Sequence, residues 1–298
     1  MKGCARTCIL WLVGWIIAAG AFFYYFRGIR DFGPPTYWAA IGAGLSVVLC
    51  IGYAWGIGQA YRERAMLMGA MAGTPPVDGK WAAVSGTIHS SAPIAAPISG
   101  LDSVTYEYKI YRHERSGRNS SEVTYFDGKA LTPSTIATRS GSVRLLSVPS
   151  FQDVEPTEIS WTQAVANAKA YVSSTEFRLR ETDKNAVEEE STDDDGQYRR
   201  DRRHSTNDVD LADDFRFEEK RIAQGEQVCA FGLYSRERGG LIPHPNWANQ
   251  TRLMRGNSLK VADKLRTRMI KYAFGVIILG AIPYAIWRFY LYQAATLP

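Results

Sequence analysis

Three charge-poor apolar stretches constrain this chain more than anything else in it. Residues 8–26 carry no charge, nor do residues 32–61, and residues 269–292 are broken only by Lys271 and Arg288. A hydrocarbon core about 30 Å thick is crossed by roughly 20 helical residues, so each stretch is long enough to span. The predicted spans are about 8–26, 36–58 and 269–292. Between the second and third lie about 200 residues of ordinary soluble composition, enough for one domain with its own core. The expected architecture is an α-helical membrane anchor of three spans plus a mainly β soluble domain. Residues 1–61 hold two spans, 62–258 the domain, and 259–298 a basic helix and the third span.

The net charge of +5 is unevenly spread. Residues 181–221 hold 15 acids and 8 bases, so the basic excess lies elsewhere, much of it beside the apolar stretches. Lys and Arg near span ends set orientation. Lys2 and Arg6 balance Arg27 and Arg30, but Arg62 and Arg64 follow the second span, and Lys260, Lys264, Arg266, Arg268 and Lys271 precede the third. These five bases form a predicted membrane-surface helix behind Asn257 or Ser258 as its cap, serving as topology determinants, as ligands for anionic lipid, or as both. The expected layout is an integral, multi-pass protein of a bacterial-type inner membrane. Its N-terminus and domain are cytoplasmic and its C-terminus is outside. The Phe22–Phe26 continuation past the small run at 18–21 argues for an uncleaved first anchor.

Small residues four apart let helices approach closely in lipid. Gly52 with Gly56, Ala40 with Gly44, and Gly14 with Ala18 have that spacing, and the first pair offers a stripe for self-association. Cys50 and Cys229 read as small buried residues; Cys4 and Cys8 are open to acylation or metal binding but are simplest as plain thiols.

In the middle, period-two alternation dominates. Val104, Tyr106, Tyr108 and Ile110 fall on one strand face, with Thr105, Glu107, Lys109 and Tyr111 on the other. Residues 116–119 predict a turn and 123–126 a return strand. Further strands are expected over 81–89, 143–148 and 227–234. Ser160 with Gln163 forms a predicted capping box for a short helix whose shared face is Trp161, Val165, Ala168 and Val172. The domain is therefore a β-rich α+β unit, antiparallel or barrel-like. Residues 186–214 combine an acidic run with Arg199, Arg200, Arg202 and Arg203 and too little apolar surface to offset ordering entropy. They are expected to be a disordered charged insert.

The chemical constellations are missing from the sequence. It has no GxxxxGK[ST], GxGxxG opening a helix, GxSxG or HExxH. His89, His113, His204 and His244 lack metal-ligand spacing, and Asp193–Asp195 with Gly196 lacks a calcium loop's ligand ladder. Aromatics and bases interleave from Tyr108 to Arg118, but on a hairpin this pattern reads as a polar face, so no nucleic-acid partner is expected. No catalytic residue, cofactor or metal is assigned.

Several short motifs occur in order: Thr74-Pro75-Pro76-Val77, Gly86 in Val-Ser-Gly-Thr-Ile, Ala96-Pro97-Ile98-Ser99-Gly100 leading into the Tyr106 strand, and Ile222 to Gly232 containing Gly225. In this order, bracketed by membrane stretches, they resemble the GIDE domain, also called BAM ("beside a membrane"), of mitochondrial membrane-anchored ubiquitin ligases and their prokaryotic relatives. The resemblance covers roughly residues 62–258. It marks Gly86, Ala96, Pro97, Ser99, Gly100, Tyr106, Gly225 and Gly232 as motif positions, structural or interacting. In the eukaryotic ligases a C-terminal RING binds two zincs through paired Cys and His. Here no CxxC occurs and the chain ends six residues past the third span, so the resemblance brings no ligase site with it. The extra N-terminal span also inverts the side on which the domain is expected.

The functional expectation is a non-catalytic protein-interaction or scaffolding module at the cytoplasmic membrane face, with membrane lipids and an unidentified protein as partners. Two alternatives stand beside it. One is a ubiquitin-transferase-related activity using a RING supplied in trans, and the other is a sensor of anionic lipid or membrane stress.

Overall fold

The computed structural model describes residues 2–29, 34–116, 119–175, 177, 181–182, 198–204, 211, 214–244 and 250–296. The chain divides into two compact units, Met1–Ala65 with Ala262–Pro298, and Met66–Val261.

Helices α1 (Lys2–Ile29) and α2 (Pro34–Met71) open the chain. They are followed by β1 (Trp81–Ser90), β2 (Ile94–Ala95), β3 (Asp102–Ser103), β4 (Thr105–Ser116) and β5 (Asn119–Leu131). Next come β6 (Ser134–Thr138), β7 (Gly141–Leu145), β8 (Ser150–Phe151) and α3 (Trp161–Val172). The remaining elements are β9 (Glu181–Thr182), β10 (Tyr198–Arg203), β11 (Phe215–Ile222), β12 (Gln227–Ser235), β13 (Gly240–Ile242), β14 (Arg252–Arg255) and α4 (Ser258–Thr296).

Among the described residues two helices have the length and composition to cross a membrane, over Thr36–Met71 and Ser258–Phe289, each with mean hydropathy 1.8. At 1.5 Å per residue both exceed the thickness of a hydrocarbon core. The most apolar part of α2 is 28% buried and that of α4 is 0% buried. The stretch 8–26, expected as a third span, is helical within α1. Helix α4 continues through Pro283.

The helices of the first unit meet where side chains are smallest. A Cβ on Gly44 would lie 2.6 Å from the backbone nitrogen of Ala19, so α1 and α2 touch backbone to backbone there. Gly56 on α2 receives the ring of Tyr272 on α4, and Gly275 on α4 receives the ring of Tyr53 on α2. The two rings meet edge to face with centroids 5.6 Å apart. Later α2 residues oppose earlier α4 residues, so the pair is antiparallel. Gly52 lies against Trp11 of α1. The Gly52/Gly56 stripe, which the sequence offers for self-association, is thus occupied within the chain. At the far end Phe26, Ala40 and Ala43 form a small core with Ile286 and Trp287, and the Trp287 indole donates to the Tyr25 hydroxyl at 3.1 Å.

The second unit is built on a closed five-stranded barrel. Its order is β1-β6-β7-β13-β12, closing through β12 onto β1. Every pair is antiparallel except β7–β13. Numbered among themselves, the barrel strands run 1-2-3-5-4-1 with only the third and fifth parallel, the order of an OB-type Greek-key barrel. Alternate residues fill the interior: Val84 and Ile88 from β1, Ile136 from β6, Leu145 from β7, Val228 and Ala230 from β12 and Leu241 from β13. Gly86 lets the barrel close, because a Cβ there would overlap the carbonyl of Ala137 on β6.

A second sheet grows from the connections between barrel strands, ordered β11-β4-β5-β10-β9. Its core joins Tyr106, Tyr108 and Ile110 of β4 to Phe126, Ala130, Phe177 and Phe215, with Ala164 and Ala168 of α3 packed against it. The expected Val104–Ile110 face is therefore a core face. Ser160 does precede α3, but its side chain makes no capping bond. Trp161 is 42% exposed, because the helix turns Ala164 and Ala168 inward instead. Asn257 is the cap of α4, accepting the Lys260 N–H at 2.9 Å.

The insert expected to be disordered over about 186–214 needs correction. Tyr198–Arg203 is strand β10, paired in register with residues 126–131 of β5. Ordering these charged residues is offset by backbone pairing with β5 and by the hydroxyls of Tyr108 and Tyr171, which satisfy the buried carboxylate of Asp201. Residues 186–197 and 205–210 lie outside the described residues.

Candidate functional site

The second sheet holds two buried carboxylates, and each organises the elements around it. Glu219 projects inward from β11 and is 1% exposed. Its Oε2 accepts the backbone N–H groups of Ile98 at 2.8 Å and Ser99 at 3.2 Å. The same residue's carbonyl accepts the Thr157 N–H at 2.7 Å. Asn167 of α3 donates to the Ile98 carbonyl at 2.9 Å, so the 96–100 turn is held from strand and helix together. Gly100 completes the turn at φ +71°, a conformation that a side chain disfavours.

Asp201 on β10 is the second carboxylate. One oxygen accepts from the Tyr108 hydroxyl and the other from the Tyr171 hydroxyl, both at 2.8 Å. This ties β4, β10 and α3 together. Burial, then the charge of Asp201, pushes the Tyr108 phenol well above its ordinary value. A buried carboxylate is retained where its hydrogen bonds repay its desolvation, and two hydroxyls at 2.8 Å provide them.

The motif positions fall at packing and turn points. Ala96, Pro97, Ser99 and Tyr106 are buried, and Gly225 has φ +82° in the turn before β12. A Cβ on Gly232 would press on Thr251 and Leu241. The structure brings Ala96, Pro97, Ser99 and Gly100 together in the turn clamped by Glu219. Gly86 and Gly232 belong to β1 and β12, and Gly225 to the turn between β11 and β12.

The aromatic and basic hairpin of β4 and β5 is balanced in charge. Lys109 pairs with Glu122, and Arg112 pairs with Glu114 at 2.7 Å and Asp214 at 3.2 Å. The Tyr125 hydroxyl, then Arg112, holds the Glu114 carboxyl below its ordinary value. These pairs neutralise a surface that a polyanion would need bare. His204 pairs with Asp127, and His113 stacks edge-on against Tyr111. Among the described residues no three His, Cys, Asp or Glu side chains are grouped to hold a metal.

The membrane-surface bases lie in the first turns of α4. Lys260, Lys264, Arg266 and Lys271 are exposed and Arg268 is half-buried, while Val261, Ala262 and Leu265 are buried in the sector between Arg268 and Arg266.

Sequence reasoning missed Glu219, Asp201 and Asn167. Glu219 had a signal: it shares strand parity with Phe215 and Phe217, so an acid sits at an inward position. Asp201 had none, because in Tyr-Arg-Arg-Asp-Arg-Arg no apolar residue marks which face is buried. Comparison with protein-family models, with curated proteins and with solved structures finds no match for this chain.

Proposed function

We propose that this chain is a multi-pass membrane protein that displays a non-catalytic, β-rich docking module at the cytoplasmic face of a bacterial-type inner membrane. The observation that carries the reading is where large apolar side chains point. On α2, Trp38 is 72% and Trp55 73% exposed, and on α4 Phe274, Ile277 and Ile278 are each more than 60% exposed. In the β unit the aromatic and aliphatic side chains line two cores instead. Lipid is the solvent that makes such helices stable.

Aromatic residues add support. Tyr37 and Trp38 near the start of α2, and Tyr61 further along it, are about 36 Å apart at 1.5 Å per residue. That separation suits the two interfacial belts of a bilayer. Tyr24 and Tyr25 of α1 and Tyr292 of α4 extend the first belt, which favours α1 as the third span. With the N-terminus inside, three spans put the β unit inside and Pro298 outside. The GIDE/BAM resemblance, which joins such a module to a membrane anchor, belongs to this proposal.

The test is gentle extraction and affinity purification of the full chain beside a variant lacking residues 76–256. A stoichiometric protein partner that is lost with the deletion supports docking. Recovery of the same proteins with both forms, or turnover of a substrate by the purified protein, overturns it. A reporter fused at Pro298 is expected to behave as external.

A further inference from the structure

The cations of α4 do not stand alone. At about 100° per residue, Lys260, Lys264, Arg268 and Lys271 fall within about 80° of one another on the helix. Val261, Ala262 and Leu265, which are 0%, 5% and 0% exposed, fill the adjoining sector, which begins beside the half-buried Arg268. Arg266 takes the other flank.

The register with α2 adds two more. Gly56 meets Tyr272, Tyr53 meets Gly275, and the Cys50 thiol donates to the Val276 carbonyl at 3.5 Å. Continued toward the end of α2, this antiparallel register brings Arg62 level with Arg266 and Arg64 level with Lys264. The two helices therefore gather seven cations in a slab about 16 Å tall. The acids of the same segments are Glu63, which is buried, and Asp263, which is exposed, so seven cations against two acids leave the slab a net charge of +5. On one side of the slab α4 has no charge from Tyr272 to Trp287. The slab thus begins where the uncharged run of α4 stops.

We propose that this slab binds anionic phospholipid headgroups and enriches them around α2 and α4. The proposal rests on the membrane reading above and names the lipid class that the anchor selects. The argument is charge complementarity at a fixed depth. The slab lies at headgroup level, where each nearby Lys or Arg is drawn to an anionic leaflet. Guanidinium groups add paired donors for a phosphate, and ammonium groups add point charge. A zwitterionic headgroup offers the same phosphate with its charge cancelled, so net negative lipid is preferred.

The test uses the full chain in phosphatidylcholine bilayers containing trace spin-labelled phosphatidylglycerol or spin-labelled phosphatidylcholine. The fraction of each label immobilised at the protein is compared. The wild-type chain is expected to immobilise phosphatidylglycerol preferentially at low salt. That preference is expected to fall to parity in concentrated NaCl, where the screening length shrinks to a few ångströms. It is also expected to be lost in Lys260→Gln/Lys264→Gln/Arg268→Gln/Lys271→Gln.

Equal immobilisation of the two lipids by the wild-type chain overturns the proposal, and so does a preference that the substitutions leave intact. Displacement of the lipid by millimolar inorganic phosphate at constant ionic strength would assign the slab to a soluble anion, and also overturns it. An alkaline carbonate wash separates this proposal from the membrane reading. A chain that stays with the bilayer but shows no preference refutes headgroup selection alone, whereas a chain washed off refutes the anchor itself.

Discussion

Tyr108 on β4 donates its hydroxyl to the carboxylate of Asp201 on β10 at 2.8 Å, across the intervening strand β5. Tyr171 on α3 holds the other oxygen at the same distance. One buried acid thus joins three elements that are far apart in sequence. Tyr108→Phe removes one charge-assisted hydrogen bond and is expected to cost about 1.5–3 kcal/mol. Asp201→Ala strands two buried hydroxyls and is expected to cost more. Thermal unfolding of the detergent-solubilised protein by near-ultraviolet circular dichroism checks the order.

The same pair gives a pH dependence with a definite sign. The Tyr108 phenol is held well above its ordinary value of 10.0 in the folded protein. Its contribution is complete below pH 10. Above that, the unfolded chain releases the proton while the folded one keeps it, so stability falls as pH rises. A plot of unfolding midpoint against pH is expected to fall more steeply beyond pH 10, and Tyr108→Phe is expected to remove that steepening.

The parts of the fold that alternate or run apolar were legible in advance. The Val104–Ile110 face, strands β1 and β12 and the helix after Ser160 announced themselves through periodicity, and α2 and α4 through hydropathy. Closure of the barrel was not legible, because the pairing of β7 with β13 joins residues about a hundred positions apart. Strand β10 was hidden for a different reason. Its order comes from backbone pairing and a buried acid, and a composition of Arg and Asp reports neither.

Glu219 is predicted to act on the 96–100 turn. Its Oε2 satisfies the N–H groups of Ile98 and Ser99, and Glu219→Ala leaves both unpaired in a buried turn. The expected cost is about 1–3 kcal/mol, with Glu219→Gln milder because an acceptor oxygen remains. Amide hydrogen exchange at Ile98 and Ser99 is the readout. Faster exchange there, with barrel amides still protected, is the expected pattern.

Gly86 is predicted to be intolerant of any side chain. A Cβ there runs into the Ala137 carbonyl, which is backbone of the neighbouring barrel strand and cannot rotate away. Gly86→Ala is expected to destabilise by about 3 kcal/mol, at the upper end for an overpacked core. Gly225→Ala tests a separate cause, since its φ of +82° strains a side chain where nothing lies within 4 Å. It is expected to cost only about 1 kcal/mol. Unfolding midpoints of the two variants measure the difference.

The contact of α1 with α2 carries a prediction with an internal control. Gly44 meets the Ala19 backbone at 2.6 Å for a built Cβ, whereas Gly42, two residues earlier, meets nothing within 4 Å. Gly44→Val is expected to separate the helices and lower the unfolding midpoint in detergent. Gly42→Val adds the same side chain on an open face and is expected to leave the midpoint unchanged. Equal effects of the two would remove this helix contact from the account.

Cys229 is predicted to be inert while the barrel is closed. It is 0% exposed, and its thiol donates to the Ser85 hydroxyl at 3.3 Å. Burial pushes the thiol up to about 11, and the Ser85 contact lowers it only in part. At pH 8 about one molecule in a thousand is then a thiolate, and that one is shielded from reagent. A maleimide at pH 8 is expected to leave the Cys229 peptide unmodified in the native protein and to label it in denaturant, as read by mass spectrometry of the digest. The raised value also works in the direction of Tyr108: the unfolded thiol ionises near pH 9 and the folded one does not, so this contribution fades between about pH 9 and 11. Cys229→Ala is therefore expected to shift the start of alkaline destabilisation upward from about pH 9 toward pH 10, where Tyr108 takes over.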